Sequence, residues 1–432
     1  MSDHALAAPG RPSSDRPNAG PLALRERPVG VAAAKALTSE VARHPGPKTV
    51  LVVGVVAGGD AVLDQVLSVV MPNDQVVVVA SGPAPEAATD LITSATRSVH
   101  AISGDALADR VTMLTQLPVD QSALPGPVDV AVIARPAQHP SVVDRVRPLL
   151  AADGVLSIAT DATAGDPLAG PVEDYAVRTE RVFRSVPPLR VHHLRFAPAT
   201  PYLAERLGPA QSPSHVAVTK RMGLDSNGVA FGGLVAGAAL LTKVLRPRSK
   251  AWIAPALVAL PVAAFFRDPR RIVPDDPQAI VSSADGRVLG VERLTDDRFG
   301  APTEWLRISV FLSVLDVHIN RAPVAGRVVA VIREEGGYAN AMTAAAEHNV
   351  ACYTALETVH GKVVVAQRSG LIARRIVNRV RVGALLAKGE RYGLIRFGSR
   401  TDVYLPVDAA EPLVAPGEKV VGGETVLARW LT

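Results

Sequence analysis

Arg391-Tyr-Gly-Leu-Ile-Arg-Phe-Gly-Ser-Arg-Thr-Asp-Val-Tyr-Leu-Pro406 is the stretch around which the chain is organised. An apolar run, Tyr392 to Phe397, stops at Gly398-Ser399, and an alternating run, Thr401 to Leu405, resumes at once. The pair therefore predicts a tight bend between two strands. Glycine at this point permits unusual backbone angles and leaves its carbonyl uncrowded, so the Ser399 hydroxyl can turn back against the preceding C=O. An isolated Gly-Ser is ordinarily only a hairpin turn. The neighbouring segments decide between a turn and a reactive bond.

Working outward, five segments recur in order: Phe265-Phe-Arg-Asp-Pro269; Val281-Ser-Ser-Ala-Asp-Gly-Arg287; Ile308-Ser-Val-Phe-Leu-Ser313 running into Asp316-Val-His-Ile-Asn-Arg321; Gly370-Leu-Ile-Ala-Arg-Arg-Ile376; and Gly389-Glu-Arg to Ser399-Arg400. Together they cover about a third of the chain and resemble the phosphatidylserine decarboxylases, in their short bacterial and archaeal branch. The resemblance implies a pyruvoyl-dependent enzyme that makes phosphatidylethanolamine and carbon dioxide. It implies that Ser399 attacks the Gly398 carbonyl to give an ester. Elimination and hydrolysis then leave a pyruvoyl group at the head of a Ser399–Thr432 fragment, with Met1–Gly398 still bound. His318 and Asp285 correspond to the family's histidine and aspartate, as base and as the partner that holds it. His318 is also the candidate proton donor to the substrate α-carbon after the pyruvoyl ketone has taken up the electrons of decarboxylation. No metal or external cofactor is called for.

One departure stands out. The family's longer branch has a second histidine three residues after the first, where this chain has Arg321. A planar guanidinium there could bind the substrate carboxylate or phosphate, and Arg396 and Arg400, straddling the bend, could offer charge to a lipid phosphate. Structural readings stand beside these: Asp285-Gly286 is an ordinary turn pair, and Arg396 and Arg400 fit a solvated strand edge. His348 and His360 lack metal-ligand spacing.

The 432 residues exceed one hydrophobic core, so the expectation is a multidomain chain. Forty-six Lys and Arg against 41 Asp and Glu give a formal charge of +5, which favours anionic surfaces. Aromatics at 4% exclude base-stacking platforms for nucleic acid. A single cysteine, Cys352, excludes an internal disulfide and a cysteine-cluster metal site. Residues 1–44 read as a disordered tail without an export signal, which places the protein on the cytoplasmic side. Oligomeric state is left open, a homo-oligomer included.

Between 45 and 200, Val-rich runs at Thr49–Val56, Gln75–Ala80, Val128–Ile133 and Gly154–Ala159 alternate with helical stretches, predicting a doubly wound, Rossmann-like α/β domain. Leu149–Ser157 resembles a late strand of S-adenosylmethionine methyltransferases. A nucleoside over Gly54, Gly58 and Gly59 would lack a ribose-gripping carboxylate, because the second strand ends Val79-Ala-Ser-Gly82. Asp60 and Asp105 are more ordinary as caps or loop charges. The domain therefore reads as a structural or docking remnant, with a lipid-amine methyltransferase as the bifunctional alternative.

After a linker at 201–227, two apolar segments, Gly228–Leu245 and Ala251–Phe266, flank a basic loop, Arg246–Lys250. They predict a hairpin associated with the membrane holding the phosphatidylserine, against the alternative of two buried core helices. Residues 267–432 read as a mostly β barrel or sandwich, with strands at Ala279–Val281, Arg287–Val291, Leu306–Leu312, Gly326–Val331, Lys362–Gln367 and Leu371–Val377 and a helix over Tyr338–Asn349. A non-catalytic lipid-surface scaffold is the rival from another class; the retained Gly398-Ser399, His318 and Asp285 count against it.

Overall fold

A computed structural model of the chain describes residues 29–55, 60–80, 110–135, 141–162, 169–182, 188–210, 215–255, 257, 264–371, 375–396 and 399–431. The Val-rich runs form a seven-stranded sheet of β1 (Thr49–Val55), β2 (Gln75–Ala80), β3 (Val111–Leu114), β4 (Val128–Ile133), β5 (Leu150–Asp161), β6 (Ala176–Val182) and β7 (Leu189–Leu194), in the order β3-β2-β1-β4-β5-β7-β6. β1 to β5 are parallel, and β7 runs antiparallel between β5 and β6. Valines fill both faces because cores cover both sides of this sheet. Asp60 is the cap of the Ala61–Leu67 helix, accepting from Val62 N at 2.9 Å and Leu63 N at 3.4 Å. Gly58, Gly59 and Asp105 lie outside the described residues.

The expected tail is ordered from residue 29. Helices Val31–Leu37 and Ser39–Arg43 pack Ala33, Ala34, Leu37 and Val41 fully out of water. A small apolar face seats this segment, and two buried charges fasten it. Glu40 meets Arg43 at 3.4 Å and Arg178 at 3.1 Å; burial opposes its ionisation, but these guanidiniums hold its carboxyl well below the usual range. Burial pushes the neighbouring Glu180 up to about 7.

The α/β domain docks on the β half through Arg43, which donates to Glu390 Oε2 at 2.7 Å and to the Leu385 carbonyl at 3.2 Å. Beside it Ala199, Ala204 and Leu207 pack on Ala325 and Leu385. Arg43→Ala would leave Glu390 as an uncompensated buried charge, with an expected loss of about 3–5 kcal/mol. The denaturant midpoint of the full chain measures it.

The stretch expected as a bare linker is structured. It holds a helix, Pro201–Arg206, and two short strands, β8 (His215–Ala217) and β9 (Met222–Asp225). β9 pairs with β10 (Arg267–Pro269), so the chain before and after the two apolar segments expected as a hairpin is held together. The first arm is a helix, Ser226–Leu245, about 30 Å long at 1.5 Å per residue and exposed along most of its length. Asp225 caps it and also accepts from Arg379 at 2.6 Å. Its exposure contradicts a buried core helix: Phe231, Leu234, Leu240, Leu241 and Val244 all face outward. Of the second arm, residues 253–255, 257 and 264–265 are helical and residues 256 and 258–263 lie outside the description.

The β half contains β11 (Ala279–Val281), β12 (Gly286–Asp296), β13 (Thr303–Leu312), β14 (Ile319–Arg321), β15 (Gly326–Glu334), β16 (Ala351–Thr358), β17 (Gly361–Arg368), β18 (Arg375–Asn378), β19 (Leu385–Leu386), β20 (Arg391–Arg396), β21 (Ser399–Pro406), β22 (Ala410–Pro412), β23 (Lys419–Val420) and β24 (Val426–Trp430). An eight-stranded sheet in the order β19-β15-β16-β17-β21-β13-β12-β23 is flanked by β14-β20-β18 and β11-β24-β22. The core lies between them, with Ile308, Val310, Val363, Val403, Leu405 and Leu427 at its centre. Tyr338–Asn349 is not a helix; only Ala344–His348 makes a 3₁₀ turn. Asn349 overrides local propensity: its side chain accepts from Ala339 N at 2.7 Å and donates to the Ala339 and Ser369 carbonyls at 2.9 Å, tying the segment into a closed loop.

Candidate active site

Gly398-Ser399 does not close a hairpin. β20 belongs to the small β14-β20-β18 sheet, whereas β21 is an inner strand of the large one, so the chain changes sheet between Arg396 and Ser399. Phe397 and Gly398 lie outside the described residues. Ser399 opens β21 opposite Leu312 and is fully buried, and its Oγ has no hydrogen-bond partner among the described residues. A buried hydroxyl normally finds a partner. One without a partner, next to a glycine carbonyl, is a group whose chemistry is not quenched by the fold.

His318 sits just before β14, its carbonyl accepting from Ile395 N at 3.3 Å, which places it against the end of β20 that leads into the bend. Nδ1 lies 2.9 Å from the Asp316 carbonyl, and the Phe265 ring covers the imidazole with centroids 4.2 Å apart. Burial pushes the imidazole down to about 4, against the pull of the Asp316 carbonyl and charge, so it is neutral at pH 7. A neutral imidazole can take a proton.

Asp285 has partners of its own. It accepts from Arg271 Nη2 at 2.7 Å and 2.8 Å and from Gly422 N at 2.8 Å. It stands at the start of β12, across β13 from the strand that Ser399 opens. The pairing ties residues before the bend to residues after it. Next to it, Gly286 packs so closely that a Cβ would lie 2.0 Å from the Phe311 carbonyl. Gly286→Ala must push β12 off β13, with an expected loss of about 2–3 kcal/mol in chemical denaturation and slower maturation.

The three arginines expected near substrate behave differently. Arg321 is buried, donating to the Gly389 carbonyl, Asp268 and the Pro269 carbonyl, each at 3.1 Å. Asp268 also binds Arg391 Nε and His215 Nδ1, each at 2.6 Å, so Arg321 is part of an internal hub rather than a fork facing a ligand. Arg400 is likewise spent, on Asp402 at 2.6 Å and Glu347 at 2.8 Å. Burial disfavours the Asp402 carboxylate, but Arg400 and Arg368, the latter 2.7 Å away, hold it below the usual range. Each guanidinium points into the fold, Arg321 onto the sequence-distant Asp268 and Arg400 onto the distant Glu347 and its near neighbour Asp402. Arg396 remains nearer the surface and donates to Asn227 Oδ1 at 2.6 Å, at the foot of the apolar helix. His360 stacks on Trp430, with centroids 4.6 Å apart.

Phe265 and Asp316, which shape the histidine's surroundings, were not singled out by sequence reasoning. The available signal was an aromatic pair closing an apolar arm just before Arg-Asp-Pro. Packing it onto His318 is a tertiary event.

Comparison with known proteins matches residues 258–428 to the family described as phosphatidylserine decarboxylase. A phosphatidylserine decarboxylase proenzyme of Erythrobacter litoralis is 47% identical over 212 residues, covering 46% of this chain and 84% of the relative. One from Desulfotalea psychrophila is 47% identical over 167 residues, covering 38% and 77%. Among solved structures, an O-methyltransferase from Bacillus cereus is 14% identical with a TM-score of 0.28, covering 38% of this chain and 80% of that one. Spermidine synthase from Thermotoga maritima is 15% identical with a TM-score of 0.26, covering 38% and 59%.

Proposed function

The chain belongs to the phosphatidylserine decarboxylase family and decarboxylates phosphatidylserine; from that premise we propose that it matures by cutting itself between Gly398 and Ser399 and works through a pyruvoyl group made from Ser399. The observation that carries this is the buried Ser399 hydroxyl with no partner among the described residues, at the point where the chain leaves one sheet for another. His318, neutral and against the end of β20, takes the hydroxyl proton as oxygen attacks the Gly398 carbonyl and the acyl group moves from nitrogen to oxygen. Loss of the ester as carboxylate leaves a dehydrated residue, and water then releases ammonia and leaves the ketone.

The site suits such a group: Ser399 is enclosed, and the residues around it exclude water. When present, the group supplies a carbonyl that takes up the substrate amine and draws off the electrons freed with carbon dioxide. His318 then returns a proton to the substrate α-carbon. An anionic substrate beside it would raise its pKa toward the range needed for a donor.

The Ser399–Thr432 fragment stays bound because it is woven into the sheets. β21 lies between β13 and β17, β23 pairs with β12, and β24 pairs with β11 and β22. Asp285 to Gly422 adds a further tie. The exposed apolar helix associates with the bilayer that holds the substrate, and the Lys and Arg flanking it favour the cytoplasmic side. Arg396, at the foot of that helix, is the remaining candidate for the lipid phosphate.

The denatured mass of the purified protein tests maturation. Two chains are expected, the smaller beginning at a blocked residue 399. A single unaltered chain in an active preparation would refute it.

A further inference from the structure

We propose that the turn between β13 and β14, tipped by Val314 and Leu315, is a second bilayer-contacting element that seats the reactive edge of the β half on the lipid surface. This rests on the membrane association proposed above. Val314 is 46% and Leu315 82% exposed, two and three residues beyond Leu312, the strand end that pairs with Ser399. The tip is built rather than slack: Asp316 Oδ2 accepts from Ser313 N at 2.8 Å and Ser313 Oγ at 2.7 Å, and Asp316 N returns a bond to the Ser313 carbonyl at 3.0 Å. A tight turn that holds two large aliphatic side chains outward gains nothing from water.

The bilayer is the occupant because the turn is continuous with the apolar hairpin. The Arg267 guanidinium donates to the Ala264 carbonyl, at the end of the second arm, and also to the Leu315 carbonyl. The first arm is fixed to the same place: Gly228 packs against Phe266, where an added Cβ would lie 2.3 Å from the Phe266 Cβ. Phe265, Phe266, Val317, Ile319 and Leu394 form one cluster under the turn. Arg267 and Arg396 bond to the bases of the two apolar segments, and the exposed Arg375 pairs with Arg396 in the ladder, so the three offer cationic charge for lipid phosphates. Asp316 joins the two functions, since its side chain forms the turn and its carbonyl holds His318 Nδ1.

The test uses full-length Ser399→Ala chain in vesicles of phosphatidylcholine and phosphatidylserine, with an environment-sensitive thiol label at Leu315→Cys, Leu240→Cys or Val119→Cys. Native Cys352 is buried and does not compete. Lipids brominated in their acyl chains should quench the labels at 315 and 240 and spare the one at 119, an exposed position on the α/β domain. Quenching at 240 without 315 overturns this proposal alone; quenching at neither overturns it together with the membrane reading. In the native enzyme, Leu315→Glu should lower turnover of bilayer phosphatidylserine about tenfold more than turnover of monomeric dihexanoyl-phosphatidylserine, the scale of one lost aliphatic contact. An equal effect on both substrates overturns it.

Discussion

Ser399→Ala is expected to yield one intact 45.2 kDa chain with decarboxylation about a million-fold or more below the native enzyme, since removing the hydroxyl removes both the nucleophile and the source of the ketone. The fold should not suffer. Ser399 Oγ is buried without a partner among the described residues, and such a group costs about 1–3 kcal/mol to keep. The alanine chain should therefore unfold at a denaturant midpoint no lower than that of the native protein. Mass spectrometry, a carbon dioxide release assay and denaturation together separate loss of chemistry from loss of structure. An alanine chain that still divides at position 399, or that decarboxylates at a native rate, would end the proposed mechanism.

His318→Ala should slow maturation by about 10²–10⁴-fold, the usual worth of a positioned general base. The pH dependence carries a sign. Burial holds the imidazole near 4, so it is neutral and competent from pH 8 down to about 5, and maturation of newly translated chain should stay flat over that range and fall as pH drops through about 4. A half-rate near the ordinary histidine value would show that the imidazole is solvated before cleavage. Stability follows the same sign. The unfolded chain binds this proton near 6.5 and the folded chain only near 4, so stability is full above 6.5 and declines as pH falls between the two. His44, pushed down to about 4 chiefly by burial, adds to the decline, whereas Glu180, raised to about 7, opposes it below that value.

Much of the site was legible before any tertiary contact was known, because its residues lie in short segments whose chemistry is local. Gly398-Ser399 interrupts two strand patterns, and His318 follows an apolar strand that the structure closes at Leu312. Their surroundings were not legible. Arg321 and Arg400 looked like ligands for an anion because sequence shows charge without showing direction; Asp268 and Glu347 meet them from remote positions, and Asp402 meets Arg400 from two residues away. Asp285 was expected to hold the histidine, and no local pattern signalled that its carboxylate also meets Arg271 and the Gly422 amide.

The sequence by itself determined the periodicities: Val runs buried on both faces for a parallel sheet, alternation for the β half, and an apolar helix with no polar face to turn inward. These depend on side chains a few residues apart, which any chain displays in order. Only the tertiary structure decided which strands became neighbours. It put β20 and β21 in different sheets, drew 29–43 into ordered helices, opened Tyr338–Asn349 into a loop, and laid Phe265 on His318. Those outcomes follow from non-local packing and from the need to pair every buried charge, and no local pattern encodes the identity of a distant partner.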